Sequence, residues 1–137
     1  MLIAIVSDIH SNLVALEAVL ETLPVYDRLW CLGDTIGYGP RPNECLAYVQ
    51  GLGSAVLTGN HDLGCLGTIS LVDFNDVARI ANEWNGRQLR PELRAFLQDL
   101  PATLTVEPDT TLAHASPRDP IWEYVDSAAI AEANFAH

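Results

Sequence analysis

The chain has 137 residues, of which 49% are hydrophobic and 18% are charged. This length fits one domain, and this composition predicts a folded globular chain and not a disordered one. With 18 acidic and seven basic residues the net charge is −11, which argues against binding to duplex nucleic acid and would repel an anionic substrate unless bound cations reverse the field locally.

Strand and helix patterns alternate along the first 60 residues. The predicted strands are Leu2–Asp8, Arg28–Leu32 and Ser54–Leu57, and the predicted helices between them are Asn12–Leu23 and Pro42–Gln50. This βαβαβ order implies parallel strands joined by right-handed crossovers.

In the second part of the chain, the sequence pattern predicts helices on either side of a β-hairpin. The predicted elements are the helices Val72–Trp84 and Pro91–Leu100, the hairpin strands Thr103–Val106 and Thr111–His114, and a last helix, Ser127–Phe135. The predicted fold class is therefore α/β, a parallel βαβαβ sheet with helices, in a single domain that spans residues 1–137.

The sequence shows neither a targeting signal nor a membrane span. The first six residues lack a basic region, and no uncharged apolar run approaches the ~20 residues that cross a bilayer. We therefore expect a soluble cytoplasmic protein with no membrane partner. Its cysteines, Cys31, Cys45 and Cys65, include no C-x-x-C pair, and the apolar surroundings of Cys31 predict a buried structural thiol.

Hard ligands follow each predicted strand. Asp8 ends the first strand and His10 follows it, Asp34 follows the second, and Asn60 follows the third; His114 ends the hairpin. The carboxyl ends of neighbouring parallel strands converge on one crevice. Oxygen and nitrogen donors gathered there suit divalent ions such as Mn, Fe or Zn.

These residue types fit phosphoester hydrolysis by two metal ions. Two ions about 3.5–4 Å apart, bridged by a carboxylate, activate water and offset charge on the phosphoryl oxygens. Asp8 and His10 can chelate one ion, Asp34 can bridge, and Asn60 can offer an oxygen to the second ion. His61 is then left for acid chemistry, while His114 supplies a further nitrogen.

Each motif also has a simpler interpretation. Gly33-Asp34 is a common turn dipeptide, and Asn60 or Asp62 can cap a following helix. A histidine on an apolar strand, such as His114, is usually a hydrogen-bonded core residue. The ordered conjunction of all these strand ends favours a site.

Four segments together resemble a known family, the calcineurin-like metallophosphoesterases, and in particular a bacterial branch of small single-domain members. The segments are Ser7-Asp8-Ile9-His10-Ser11-Asn12, Gly33-Asp34-Thr35-Ile36-Gly37-Tyr38-Gly39-Pro40, Gly59-Asn60-His61-Asp62 and Leu112-Ala113-His114-Ala115-Ser116-Pro117. The resemblance implies a β-sandwich flanked by helices, and a centre of two divalent ions such as Mn, Fe or Zn.

The resemblance also assigns roles to residues. Asp8, His10 and Asp34 would hold one ion, and the second ion would be held by Asp34, Asn60 and His114. His61 would be the catalytic imidazole. Asn12 and Arg118 would contact the phosphate, although a plain surface arginine is the competing interpretation of Arg118.

The sequence departs from the family in one respect. Members carry a downstream Gly-His-x-His motif that completes both metal centres, and this sequence has no Gly-His pair. We therefore expect that the C-terminal portion of the domain is missing, that the second sheet is incomplete, and that a homo-oligomer covers the exposed sheet.

Three functional hypotheses follow. The first is a dinuclear phosphoesterase that hydrolyses small phosphomono- or phosphodiesters, impaired by truncation; the second is a short enzyme that works by pairing with another copy. The third is a non-catalytic remnant that binds metal or phosphate and acts as an interaction module. Tyr38, Trp122 and Tyr124 can stack on a nucleobase or another aromatic group, with core packing as the alternative.

Overall fold

The computed structural model of the chain describes residues 1–52 and 55–137. In chain order its elements are β1 (Ile3–Val6), α1 (Leu13–Thr22), β2 (Arg28–Cys31), α2 (Pro42–Gly51), α3 (Asn60–Leu66), α4 (Asp76–Gln88), α5 (Pro91–Gln98), β3 (Thr103–Glu107), β4 (Thr110–Ala113) and α6 (Ala128–Phe135). The α/β class is confirmed.

The central strands are parallel, as predicted. β1 pairs with β2 with Ile3 opposite Arg28, and Val56 forms a parallel bridge with Cys31 on the other side of β2. Of the predicted third strand, Ser54 lies outside the described residues. The rest forms this bridge, held by hydrogen bonds of 2.9 Å from the Cys31 N–H to Ala55 and from the Leu57 N–H to Cys31.

Both faces of β2 are covered, because consecutive side chains of a strand point to opposite sides. Trp30 packs with Leu57 and with Leu112 of β4. Cys31 faces the other way, into a cluster with Leu16 of α1 and Cys45 of α2. The β3–β4 hairpin, which is antiparallel as predicted, and the helices therefore form layers on opposite sides of the parallel strands.

The helices differ from the predictions mainly in α4, which begins and ends later than predicted, and in one additional helix, α3. The predicted helix at Val72–Trp84 was wrong at its beginning, because Asn75 caps α4 by accepting a 2.9 Å hydrogen bond from the Ala78 N–H. The helix α3 was not predicted as an element. In contrast, Asn12 caps α1 and Ser127 caps α6 at the predicted positions. No helix of the described residues is long and apolar enough to cross a bilayer.

A wide apolar groove lies beside β1 and α1. Its volume is about 700 Å³, and Ile5, Ala15 and Val19 contribute to its walls. At one end it reaches Asp8 and His10, so this groove borders the loop that follows β1.

Candidate metal centre

The loops after β1 and β2 have an unusual backbone. Asp8, His10 and Asp34 have positive φ angles of 56°, 49° and 51°. Residues other than glycine seldom adopt this left-handed region, which costs about 1–3 kcal/mol each and persists only where the surroundings enforce it. Such conformations cluster at functional sites.

Backbone hydrogen bonds hold these two loops together. The Asp8 N–H donates to Gly33 at 3.1 Å, the His10 N–H to Asp34 at 3.0 Å, and the Ser11 N–H to Thr35 at 3.0 Å. The parallel pairing of β1 and β2 thus continues beyond the strands and fixes Asp8 and His10 against Asp34.

Gly33 allows a third segment to approach. It has a φ of +103°, and a Cβ atom there would lie 2.8 Å from the Gly59 nitrogen and 2.9 Å from His114 Nδ1. Gly33 therefore forms a turn, as the turn dipeptide Gly33-Asp34 predicted. Because it has no side chain, it also lets the segments that carry Asn60 and His114 come close to Asp34.

Asp62 anchors the start of α3. Its buried carboxylate accepts backbone hydrogen bonds from Gly59 and Ile36 at 3.0 Å and from Thr35 at 3.3 Å. Burial and the charge of Asp34 raise the pKa of Asp62 to about 7, although the three donors act in the opposite direction. Asp62 is thus the capping residue, and Asn60 is free to face His114.

Backbone carbonyls orient two of the histidines. His114 Nδ1 lies 2.8 Å from the Leu32 carbonyl, and His10 Nδ1 lies 3.4 Å from the Ile36 carbonyl. Because a carbonyl only accepts, each Nδ1 carries the proton and each Nε2 of the neutral ring presents a lone pair. Histidines that bind metal are usually held in this way.

The two Nε2 atoms face oxygens that also only accept. His114 Nε2 lies 3.2 Å from Asn60 Oδ1 and 3.7 Å from Asp34 Oδ1. His10 Nε2 lies 3.6 Å from Asp8 Oδ1 and 3.8 Å from Asp34 Oδ2. Lone pairs that converge without a proton between them favour the binding of a cation. The two oxygens of Asp34 face different histidines.

Possible ligand atoms form two overlapping groups. His10, Asp34 and His61 form one group, and Asp8, Asp34 and His114 form the other, with the ligand atoms of each within 4.8 Å of one another. Asp34 belongs to both groups. These donors fit divalent ions.

The charges of the cluster shift its pKa values. The neighbouring His10 side chain lowers the pKa of Asp8 to about 2. Burial lowers the pKa of His10, but Asp8 and Asp34 outweigh this effect and leave it raised. Burial raises the pKa of Asp34. A positive charge among these carboxylates is therefore favourable.

His61 lies at the edge of this cluster. Its side chain is buried, and Nδ1 lies 3.0 Å from Oδ1 of Asn82 in α4. The His61 N–H donates to Asp34 Oδ1 at 2.9 Å. Burial lowers the pKa of His61. The sequence analysis did not find Asn82, because no spacing rule connects it to His61.

A cavity of about 220 Å³ opens onto Asp8, Asp34, Asn60 and His114. Glu123 also lines it, and the sequence analysis missed this residue. Ser116 Oγ donates to Glu123 at 2.6 Å, and this bond is the main reason why the pKa of Glu123 is lowered.

The two predicted phosphate contacts lie farther out. Asn12 Oδ1 accepts the capping hydrogen bond from the Ala15 N–H at 3.1 Å, and Asn12 lines the groove with Asp8 and His10. Arg118 is about two-fifths exposed, and its guanidinium lies 3.7 Å from Glu123. The structure thus gathers Asp8, His10, Asp34, Asn60, His61 and His114, and leaves Asn12 and Arg118 at the periphery.

A family model described as calcineurin-like phosphoesterase matches residues 1–130. The chain belongs to this family. The two candidate ligand groups agree with the metal dependence of the calcineurin-like phosphoesterases.

Several relatives are similar to this member of the family. An uncharacterized protein from Methanocaldococcus jannaschii is 42% identical over 132 residues, which cover 90% of this chain and 54% of that protein. The crystal structure of a metallophosphoesterase from Sphaerobacter thermophilus is 49% identical with a TM-score of 0.87, covering 99% of this chain and 56% of that one. The chain therefore spans about half the length of these relatives.

A shorter match concerns the symmetrical bis(5'-nucleosyl)-tetraphosphatase of Pectobacterium carotovorum subsp. carotovorum. It is 40% identical over 76 residues, which cover 52% of this chain and 27% of that protein.

Proposed function

We propose that this chain carries the dinuclear metal centre of an enzyme that hydrolyses small phosphomono- or phosphodiesters. The observation that supports this most is that the Nε2 atoms of His10 and His114 lie 3.8 and 3.7 Å from different oxygens of Asp34. In this proposal Asp8, His10 and Asp34 hold one ion, and Asp34, Asn60 and His114 hold the other. The ions, for example Mn, Fe or Zn, would supply positive charge that draws a phosphoryl group into an otherwise acidic site.

His61 is the proposed general acid. Its Nδ1 is engaged by Asn82, so in the protonated ring Nε2 is the nitrogen that can give a proton to the leaving oxygen. The oxygen of water bonds to phosphorus and releases a proton to solvent while the P–O bond of the ester breaks, and the proton from His61 neutralises the leaving oxygen. A positioned acid of this kind contributes about 10²–10⁴-fold to the rate.

The proposed phosphate contacts are the peripheral Asn12 and Arg118. The Arg118 guanidinium can form paired hydrogen bonds to a phosphoryl group, but it must first leave Glu123, 3.7 Å away. Asn12 lies near Asp8 in the wall of the groove.

The test is hydrolysis of aryl phosphate mono- and diesters by the chain supplied with Mn²⁺ or Zn²⁺. We expect activity that chelation abolishes, and a His61→Ala variant that retains metal but loses at least about 100-fold in rate. His137→Ala, which removes an exposed histidine, is the control.

Two results would contradict these assignments. Loss of metal from His61→Ala would make His61 a ligand. Firm metal binding with no hydrolysis of any ester would instead support the alternative, a non-catalytic metal- or phosphate-binding module.

A further inference from the structure

Aromatic side chains surround a cleft that lies beside His61 and Asn60. The cleft has a volume of about 290 Å³, and its aromatic walls are Tyr38, Phe74, Trp122 and Tyr124. We call it the aromatic cleft. His61 itself lines it.

Ring contacts hold Tyr38, Phe74 and Trp122 in place. Tyr38 and Phe74 flank the His61 ring at centroid distances of 4.7 and 5.0 Å, and Phe74 contacts Trp122 edge-on at 5.3 Å. Yet Tyr38 is 45% exposed and Trp122 is 36% exposed. These rings thus form a fixed surface open to solvent, which agrees better with stacking on a ligand than with core packing.

The aromatic cleft is continuous with the metal cavity. Asn60 and Tyr124 line both spaces, and His61 lies beside them. A phosphoryl group over Asp34 therefore has its leaving oxygen near His61, if His61 is the acid as proposed above. The organic group attached to that oxygen must then extend toward the aromatic cleft.

We propose that the aromatic cleft binds a planar aromatic group in the leaving part of the phosphoester, either an aryl ring or the base of a nucleoside. This substrate class rests on the proposed function. Asp73 also lines the aromatic cleft, and its carboxylate favours a neutral ring or one that bears N–H donors. A ring with its own carboxylate would be repelled.

Binding of non-hydrolysable phosphonates tests the site without turnover. Calorimetry on the Mn²⁺-supplied chain should show phenylphosphonate binding about tenfold more tightly than ethylphosphonate, a difference typical of one stacked ring. Trp122→Ala should remove this preference and leave ethylphosphonate binding within about twofold. Trp122→Phe should retain most of it.

A second pair of compounds distinguishes a nucleobase from an aryl ring. Adenosine 5'-monophosphate and ribose 5-phosphate share the same leaving oxygen, and only the first carries a base. A nucleoside substrate predicts a kcat/KM about tenfold higher for the nucleotide, lost in Trp122→Ala. Equal values, with a preference among the phosphonates, would restrict the aromatic cleft to aryl esters.

Trp84→Ala is the matched control, because Trp84 is 39% exposed and lies on α4 away from the lining of the aromatic cleft. No aryl preference in the unmodified chain, or equal losses for both phosphonates in Trp122→Ala, would overturn the proposal. An aryl preference without hydrolysis would contradict the proposed function and keep the aromatic cleft as a binding site.

A second inference rests on Asn82. This residue of α4 is fully buried, and its Oδ1 lies 3.0 Å from His61 Nδ1 and 3.5 Å from Cys65 Sγ. Its Nδ2 has no hydrogen-bond partner among the described residues. Leaving a buried amide N–H₂ unpaired is unfavourable, so the side chain is placed for the contacts of its oxygen.

We infer that Asn82 is a positioning residue for His61. A carboxamide oxygen only accepts, so it keeps the proton on Nδ1 in both the neutral and the charged ring. Nε2 then faces the reaction site before and after proton transfer, and the ring need not turn. Since Asn82 acts through His61, this role also rests on the proposed function.

Nitrogen-15 NMR of the metal-free chain reads the His61 tautomer directly. We expect the proton on Nδ1 in the unmodified chain and in Asn82→Asp, which keeps an acceptor, and a mixture of tautomers in Asn82→Leu. Asn85→Leu removes another buried carboxamide of α4, one bonded to Ser11, and should leave the His61 tautomer unchanged.

Kinetics then separates positioning from binding. Asn82→Leu should lower kcat about 10–100-fold, the range for outer partners of catalytic ligands, with KM within twofold and recovery in Asn82→Asp. A neutral His61 ring with its proton on Nε2 in the unmodified chain would overturn the inference. The expected His61 tautomer together with no hydrolysis would contradict the proposed function but not the positioning of His61 by Asn82.

Discussion

At the residue scale, the metal centre depends on which hydrogen bonds each carboxylate and imidazole already makes. Three backbone donors engage Asp62. Asp34 accepts one backbone hydrogen bond, from the His61 N–H, and the side chains of Asp8 and Asp34 both face histidine side-chain nitrogens. The residues of the sequence prediction are thus divided by their hydrogen bonds into structural and ligand-facing groups. Asp34 is the residue whose two oxygens serve both sides.

Asp34→Asn is expected to weaken metal binding by more than about 100-fold, because outer-shell partners alone contribute 10–100-fold and a bridging carboxylate contacts both ions. The amide keeps the shape but removes the charge. Calorimetric Mn²⁺ titration measures the effect. Asp76→Asn, at a carboxylate that is 89% exposed, is the control, and equal affinities in the two variants would exclude a bridge.

The ligand positions could be predicted because they immediately follow the strands. Hydrophobic runs locate β1 and β2, and the residues after parallel strands meet at one edge. Asn82 and Glu123 could not be found in this way. Asn82 reaches His61 through the register of α4. Glu123 reaches the metal cavity through the loop after β4, and no spacing rule describes either residue.

At the element scale, α3 and α4 show where local patterns were insufficient. The segment Asn60–Leu66 is too short for a clear helical period, and its start depends on Asp62, which also binds backbone donors 26 and 27 residues away. The apolar residues before Asp76 favoured an earlier start of α4. Phe74 instead packs on His61, and Asn75 begins the helix.

Gly59, just before α3, is expected to tolerate no side chain. Its φ of −115° is ordinary, but a Cβ atom would overlap the carboxylate of Asp34. Gly59→Ala should therefore lower the free energy of unfolding by about 1–3 kcal/mol and weaken Mn²⁺ binding, as urea denaturation and titration would measure.

Gly51→Ala, at the end of α2, is the matched control. A Cβ atom at Gly51 meets no atom of the described residues within 4 Å, so alanine should raise helix stability by about 0.5–1 kcal/mol. Equal effects of the two substitutions would contradict the close approach of Gly59 to Asp34.

At the scale of the whole molecule, the negative charge and the metal site are linked. A chain of net charge −11 gathers three aspartates within one centre, and this repulsion opposes folding. Divalent ions that bind the folded chain should therefore stabilise it by mass action.

Removal of metal is expected to lower the melting temperature. At a free Mn²⁺ concentration 100 times the dissociation constant, one site adds about 2.7 kcal/mol, or about 10 °C for a chain of this size. Calorimetric melting with Mn²⁺ and with a chelator measures the difference. The shift should be much smaller in Asp34→Asn, and identical melting curves for the unmodified chain would exclude a site in the folded state.

The left-handed backbone at Asp8, His10 and Asp34 also limits how this centre can change. Asparagine and glycine enter that conformation readily, whereas valine, isoleucine and threonine are penalised by their branched Cβ atoms. At these three positions a substituted residue must therefore first fit the left-handed backbone, whatever its effect on metal binding. Replacing an aspartate by asparagine, which has the same shape, is the change that removes the charge and leaves the backbone conformation unaltered.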